Sequence, residues 1–265
     1  MPARHPQRIV CLTEETTETL YLLGEERRIV GISGYTVRPA RARKEKPRVS
    51  AFLNAKTDKI LELKPDLVLG FSDLQADIAR DLAKAGLNIM IFNQRSVDEI
   101  LSMILTLSSL VGAADKGANL VEELEANLAG VRRAASAFAK RPKVYFEEWD
   151  EPMISGIRWV SELVEIAGGQ DVFKERSFSQ SASGRIIADG NEVVKSQPDV
   201  IIGSWCGKKF RPEKVAARPG WDVIPAVKKN RLYEIKSADI LQPGPAALTD
   251  GVRRIFEILS ATQAP

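Results

Sequence analysis

A thirteen-residue pattern that occurs twice constrains this chain more than any other feature. Asp58-Lys-Ile-Leu-Glu-Leu-Lys-Pro65-Asp66-Leu-Val-Leu-Gly70 returns as Asn191-Glu-Val-Val-Lys-Ser-Gln-Pro198-Asp199-Val-Ile-Ile-Gly203, 133 positions later. Each copy reads as a short helix, a Pro-Asp turn and a buried strand that ends in glycine. Proline cannot continue a helix, and aspartate suits the turn that sends the chain back into a sheet. The apolar run after the turn, without polar alternation, is that of a parallel strand covered on both faces. One copy is common grammar in α/β proteins. Two copies, one in each half, predict two similar lobes.

The remainder alternates in the same way, as expected of α/β layers around parallel sheets. Strands are predicted over 8–12, 29–33, 67–70 and 88–92, then 143–147, 200–203 and 231–235. Helices are predicted near 16–23, 58–63, 73–84 and 97–111, then 159–167, 192–196 and 246–260. Between the halves, 114–140 is rich in Ala, Leu, Glu and Arg and reads as one long helix. The expected fold is α/β, with two Rossmann-like lobes joined by a single long rigid helix and a ligand cleft between the lobes. The expected divisions are 1–112, an N-terminal lobe; 113–140, the connecting helix; and 141–265, a C-terminal lobe. In such a fold the loops leaving the C-terminal ends of parallel strands converge on the cleft.

Composition removes several classes of function. The chain of 265 residues is 44% hydrophobic and 28% charged, as in ordinary globular proteins. Its best apolar run, 103–114, is too short and too interrupted by Ser and Thr to span a bilayer. The net charge of +3 comes from 38 basic and 35 acidic residues spread along the sequence, so no nucleic-acid partner is expected. The single histidine, His5, lies in a polar N-terminal stretch, which leaves neither a histidine base nor a His-rich metal site. Cys11 and Cys206 lack metal spacing, and one bridge between them stays open. No apolar export segment precedes the first strand. A cytoplasmic chain is therefore expected, or a periplasmic one from which the signal has been removed. Gly203-Ser-Trp-Cys-Gly207-Lys208-Lys209 has one residue too few between its glycines for a phosphate loop and no Ser or Thr after Gly-Lys. Gly70-Phe-Ser72-Asp-Leu lacks the second glycine of a nucleophile elbow. No enzyme, catalytic residue, catalytic cofactor or metal site is expected.

The stretches RIVCLTEETTETLYLLGEERRIVGISGYT, PRVSAF and TDKILELKPDLVLG, followed by EPMISG, ELVEIAGGQDVF, SQPDVIIGS and RPGWDVIPAVKKNRLYEI, cover nearly the whole chain. Together they resemble the substrate-binding proteins of ABC importers for vitamin B12 and ferric siderophores, the class III periplasmic binding proteins. The similarity is greatest to the vitamin B12-binding branch. The resemblance implies two α/β lobes joined by one rigid helix, where 114–140 falls. It also implies a monomeric carrier rather than an enzyme. The ligand would be a corrinoid, cobalamin or a precursor, and the partners would be the membrane subunits of an ABC importer if the chain is exported. A single long helix resists wide hinge closure, so capture would involve modest lobe movement.

Strand ends supply the candidate site: Thr13, Glu14 and Glu15; Gly34 and Tyr35; Phe52; Phe71 and Ser72; Asn93 and Gln94; Glu147, Glu148 and Trp149; Met153; Ser204 and Trp205; and Asp239 to Gln242. By motif matching, Tyr35, Phe52, Phe71 and Met153 fall where large apolar side chains line the corrin cleft of the B12-binding branch. A corrin is an amphiphilic disc whose faces take aromatic contact and whose amide rim takes hydrogen bonds. The expected ligand contacts are Glu15, Tyr35, Phe52, Phe71, Glu148, Trp149, Met153, Arg185, Trp205 and Gln242. For each aromatic the competing reading is core packing. The paired acids Glu14-Glu15 and Glu147-Glu148 would receive ligand amides, bind a hard cation, act as acid and base, or simply complement a helix N-terminus. Segment 179–190 departs from the B12 branch, since it offers Arg185 and no aromatic. Its composition is that of a flexible loop, with Arg185 either meeting a ligand carboxylate or phosphate or lying at the surface. For transporter docking the family uses one acidic residue on each lobe, which matches Asp58 and, one residue past Asn191, Glu192. A ferric siderophore or heme is the alternative ligand, heme taking Tyr35 or Met153 axially. An intracellular corrinoid-binding sensor, chaperone or accessory protein is the alternative without a transporter.

Overall fold

In the computed structural model, which describes residues 4–51 and 54–263, both Pro-Asp turns have the same construction. The residue before each proline, Lys64 or Gln197, is left-handed, with φ of 46° and 47°. This ends the preceding helix, Thr57–Glu62 in one copy and Asn191–Ser196 in the other. Each aspartate then grips the entry of a neighbouring strand. The Asp66 carboxylate accepts the backbone N–H groups of Gln7 and Arg8 at 2.7 and 2.9 Å. Asp199 accepts that of Lys143 at 2.9 Å. In return, the N–H groups of Asp66 and Asp199 donate to the carbonyls of Arg8 and Lys143, at 2.9 and 2.8 Å. The basic side chains at these entries reach back to carbonyls left open at the helix ends: Arg8 to Leu63 at 2.6 Å and Lys143 to Ser196 at 3.5 Å. There the helix dipole favours a cation.

The gripped strands are the centres of two sheets. In the first, β1 (Ile9–Cys11), β2 (Ile29–Ser33), β3 (Arg48–Ser50), β4 (Leu67–Phe71) and β5 (Ile89–Phe92) run in the order β3-β2-β1-β4-β5, all parallel. Val10, Leu12, Val49, Ile60, Val68 and Leu82 form a core beside it. Gly70 has no room for a side chain, since a Cβ there would lie 2.7 Å from both Gln75 Oε1 and Ile91. The second sheet contains β6 (Lys143–Asp150), β7 (Met153–Ser155), β8 (Gln170–Asp171), β9 (Ile186–Ile187), β10 (Val200–Gly203) and β11 (Leu232–Glu234). Its order is β11-β10-β6-β7-β9, with β8 also on β6; β7 is antiparallel to both β6 and β9. Tyr145, Ile201, Trp205, Phe210 and Trp221 lie in one buried cluster beside it.

Contacts divide the chain into two units, one running through Gln94 and including Asp98–Glu123, the other comprising Arg95–Val97 and everything from Leu124 onward. The boundary thus falls inside the long helix Ala114–Ala135. That helix stops five residues short of the expected 140. Phe138 leaves it to stack on Phe256, with centroids 5.6 Å apart and planes 10° apart. The last turn tightens as the N–H groups of Ala137 and Phe138 donate to Ala134 and Ala135. The strand expected to end at Glu147 continues to Asp150 because Trp149 and Asp150 pair with Ile154 and Met153 across a hairpin. The helix expected over 246–260 is α only from Val252–Ser260, after a π turn at Ala247–Gly251.

Removing a carboxylate grip should loosen the strand it holds. Asp66→Ala and Asp199→Ala are each expected to cost about 1–2 kcal/mol, the value of hydrogen bonds to a charged acceptor reduced by solvent. Asp66→Asn, which keeps one acceptor oxygen, should cost less. Amide exchange at Arg8 and Lys143 checks this, with each rate rising about tenfold for every 1.4 kcal/mol lost.

Candidate functional site

Parallel strands deliver their following loops to one edge of a sheet. In the first unit, β1 leads through Thr13 into the helix Glu14–Leu22, whose first turn carries Glu14 and Glu15. Both are buried. Thr13 Oγ1 donates to Glu15 Oε1 at 2.6 Å. Glu14 Oε2 accepts the backbone N–H of Val37, and Glu18 one turn later pairs with Arg38 at 2.9 Å. Two carboxylates of this helix therefore hold the loop after β2, on which Tyr35 stands 65% exposed. Glu14 Oε1 and Glu15 Oε2 are buried without a hydrogen-bond partner. Burial, the largest cause, pushes both carboxyls from 4.5 up to about 7. The Val37 N–H opposes the rise at Glu14 and the Thr13 hydroxyl opposes it at Glu15, while the charge of Glu18 adds to both.

Phe71 closes β4, largely buried, and its N–H donates to Gln75 Oε1 at 2.9 Å. Ser72 has φ 65°, and its Oγ accepts the N–H of Leu74. Asn93 and Gln94 follow β5 and line a recess of about 240 Å³ with Phe92 and Met103. Phe52 lies outside the described residues. Asp58 is exposed in the first turn of Thr57–Glu62, which precedes β4, so it belongs to the opposite end of that strand from Phe71.

In the second unit β6 carries Glu147 and Glu148, at the place where its pairing with β7 shifts register between Glu147 and Trp149. Glu147 is fully buried and fully engaged. Its oxygens accept the Tyr145 hydroxyl at 2.8 Å, the Trp205 indole N–H at 3.0 Å and both arms of Arg218 at 2.5 and 3.0 Å. Burial works against the charge of Arg218, but the hydrogen bond and charge of Glu147 outweigh it and raise its pKa. Burial first, and then Glu147, holds the Tyr145 phenol well above its ordinary range. Glu148 takes both arms of Arg185, at 2.5 and 3.1 Å, and Arg185 also donates to the Ser155 carbonyl at 2.6 Å.

Segment 179–190 corrects the flexible-loop reading. It contains a helical turn, Ser183–Arg185, and the strand β9, which pairs with β7. Arg185 is 2% exposed and not a surface residue, because the Glu148 carboxylate and the Ser155 carbonyl draw its guanidinium inward. Glu192, half-buried, pairs with Arg176 at 2.5 Å, whereas Asn191 is exposed. Trp149 is half-buried, with its indole N–H on the Glu151 carbonyl at 2.9 Å. Trp205 is buried with its ring edge-on to Phe210 at 5.0 Å. Met153 packs against the buried cluster, and Gln242 is half-buried after the short helix Ser237–Ile240.

The first unit thus brings Glu15, Tyr35 and Phe71 to strand ends of one sheet, and the second gathers Glu148, Trp149, Met153, Arg185 and Trp205 around β6 and its neighbours. Arg218 was missed from the sequence. Arg218-Pro-Gly-Trp221 places it near an aromatic, but nothing local points to Glu147, 71 positions away. Both cysteines are free thiols, Cys11 buried and Cys206 exposed. Among the described residues no group of three His, Cys, Asp or Glu could hold a metal ion, and no helix is long and apolar enough to cross a membrane.

Residues 9–238 match the family model described as periplasmic binding protein. An uncharacterized ABC transporter substrate-binding lipoprotein of Bacillus subtilis is 26% identical over 260 residues, 96% of this chain and 80% of that one. A vitamin B12-binding protein of Yersinia pestis is 26% identical over 219 residues, 82% of this chain and 75% of that one. The fold is that of a periplasmic heme-binding protein from Roseiflexus, which aligns with a TM-score of 0.81 and 22% identity over 96% of this chain and 99% of the other.

The two acidic pairs lead to opposite tests. A glutamate whose folded pKa is raised favours its protonated form in the folded state, so that contribution is complete below about 4.5 and lost as pH climbs to about 7. Glu15→Gln keeps an acceptor for Thr13 without this loss. In urea unfolding at a series of pH values, the variant should gain about 2–3 kcal/mol on the parent between pH 4.5 and 8. Arg218→Met should instead cost about 3–5 kcal/mol, because Glu147 is left buried and uncompensated. Adding Glu147→Gln to that variant should recover a large part of the loss in the same unfolding measurement.

Proposed function

The chain belongs to the periplasmic binding protein family, and on that footing we propose that it is the substrate-binding component of an ABC importer whose ligand is a corrinoid. It binds and hands over its ligand without turnover, on the outer side of the membrane. The observation that carries the corrinoid is the similarity to a vitamin B12-binding protein across 82% of this chain. The geometry is in keeping with it. Tyr35 offers an exposed ring, with Phe71 on the same sheet edge, while Trp149 and Met153 offer half-buried apolar surface on the second unit. These would face the macrocycle. Glu148 and Gln242 would meet its amide rim, and Arg185 would set the position of Glu148. Asp58 is the docking residue of the first unit. Glu192, engaged by Arg176, would dock less freely.

Heme is the second reading, favoured by one specific observation. Tyr35 presents a phenol in the open, an oxygen that could ligate ferric iron, whereas His5 sits near Leu110, with its ring nitrogen 3.3 Å from that carbonyl.

Isothermal titration with cyanocobalamin, cobinamide, hemin and a ferric hydroxamate siderophore separates these readings. One-to-one corrinoid binding, weakened at least tenfold by Tyr35→Ala, is expected. No corrinoid heat, together with hemin binding lost in Tyr35→Phe, would replace the corrinoid by heme.

A further inference from the structure

The turn after β10 brings a lysine back over two indoles. Gly207 has φ 77°, which lets Trp205-Cys206-Gly207-Lys208 close tightly, with the Lys208 N–H 3.4 Å from the Trp205 carbonyl. The Lys208 ammonium then lies 4.0 Å from the ring centroid of Trp149 and 5.2 Å from that of Trp205, and it contacts the Asp150 carboxylate. Two aromatic faces and one carboxylate around a cation are the chemistry by which proteins hold ammonium groups.

The surroundings do not depend on Lys208. The Trp149 indole N–H is tied to the Glu151 carbonyl and that of Trp205 to Glu147, so each ring has a hydrogen bond that does not involve Lys208. Of the neighbouring acids, Glu147 is engaged by Arg218, and Glu148 by Arg185. Asp150 is the carboxylate directed to the cage, with the charge of Arg218 as its other cationic neighbour. Lys208 itself is the exposed member. Its side chain is 39% exposed, on an exposed turn.

We propose that Trp149, Trp205 and Asp150 form a binding subsite for an organic cation of the alkylammonium class, occupied in this state by the chain's own Lys208. A ligand ammonium enters by displacing that side chain. The inference rests on the geometry of the second unit alone and not on the corrinoid reading.

Tetramethylammonium chloride, titrated at constant ionic strength against sodium chloride, tests it through the indole N–H resonances of ¹⁵N-labelled protein. In Lys208→Ala, the Trp149 and Trp205 signals should shift saturably while Trp159 stays in place and reports an intact fold. The parent should bind at least tenfold more weakly, because a tethered ammonium competes from within. Asp150→Asn in the Lys208→Ala background should weaken binding again, and Lys208→Gln should behave as Lys208→Ala does. No saturable shift in either folded lysine variant would overturn the subsite. Equal affinity in parent and variant would overturn its occupation by Lys208. Corrinoid binding is read by heat on the parent protein, so the failure of either reading leaves the other standing.

Discussion

Two carboxylates, Asp66 and Asp199, connect a helix end to the entry of a central strand, and much else in each unit follows from that connection. The aspartate holds the N–H groups of the neighbouring strand while its own N–H donates back. The strand after the proline is thereby set in register beside the strand it grips, Ile9 opposite Leu67 and Val200 opposite Val144. Parallel strands have no hairpin to fix their register, so a side-chain grip at the entry takes that part. Once the entries are fixed, the positions further along are fixed too, with Glu14-Glu15 just past the end of β1 and Glu147-Glu148 inside β6.

Those two pairs look alike in sequence and are treated in opposite ways. β1 ends early, so Glu14 and Glu15 fall in the first turn of a helix, buried against the Thr13 hydroxyl and the Val37 backbone N–H. Burial then dominates, and both titrate near neutrality. β6 continues into a hairpin, so its pair lies within a strand, and each acid meets an arginine brought from elsewhere in the unit. The difference lies in how far the strand runs, not in the acids themselves.

That difference also marks how far the sequence could be read. The repeat, the parallel strands and the two similar halves were legible because four-residue apolar runs after Pro-Asp carry their own signal. Strands β3, β7, β8 and β9 were not, since two or three residues show no periodicity and exist only through their neighbours. The end of the long helix was misjudged because Phe138 is drawn off by Phe256, a contact that no local propensity records. Arg185 read as a loop residue because Ser-Gln-Ser-Ala-Ser-Gly precedes it, and composition is silent about Glu148, 37 positions away. The strand-end residues were legible as positions. Their partners were not.

Partners matter because a binding site is a contest between internal and external contacts. A ligand gains from Arg185 or Glu148 only by improving on a bidentate ion pair that is already made, and from Trp149 only by competing with the ammonium of Lys208. Tyr35 is the contrary case, with two thirds of its surface in water, where burial under a ligand is net gain. Open apolar surface such as that of Tyr35 and engaged charges such as Glu148 and Arg185 would therefore serve the proposed ligand in different ways. Under the proposed function, discrimination between ligands would fall to the engaged charges. Apolar contact rewards any macrocycle of suitable size, whereas an engaged charge yields only to a group that replaces its partner in both charge and geometry.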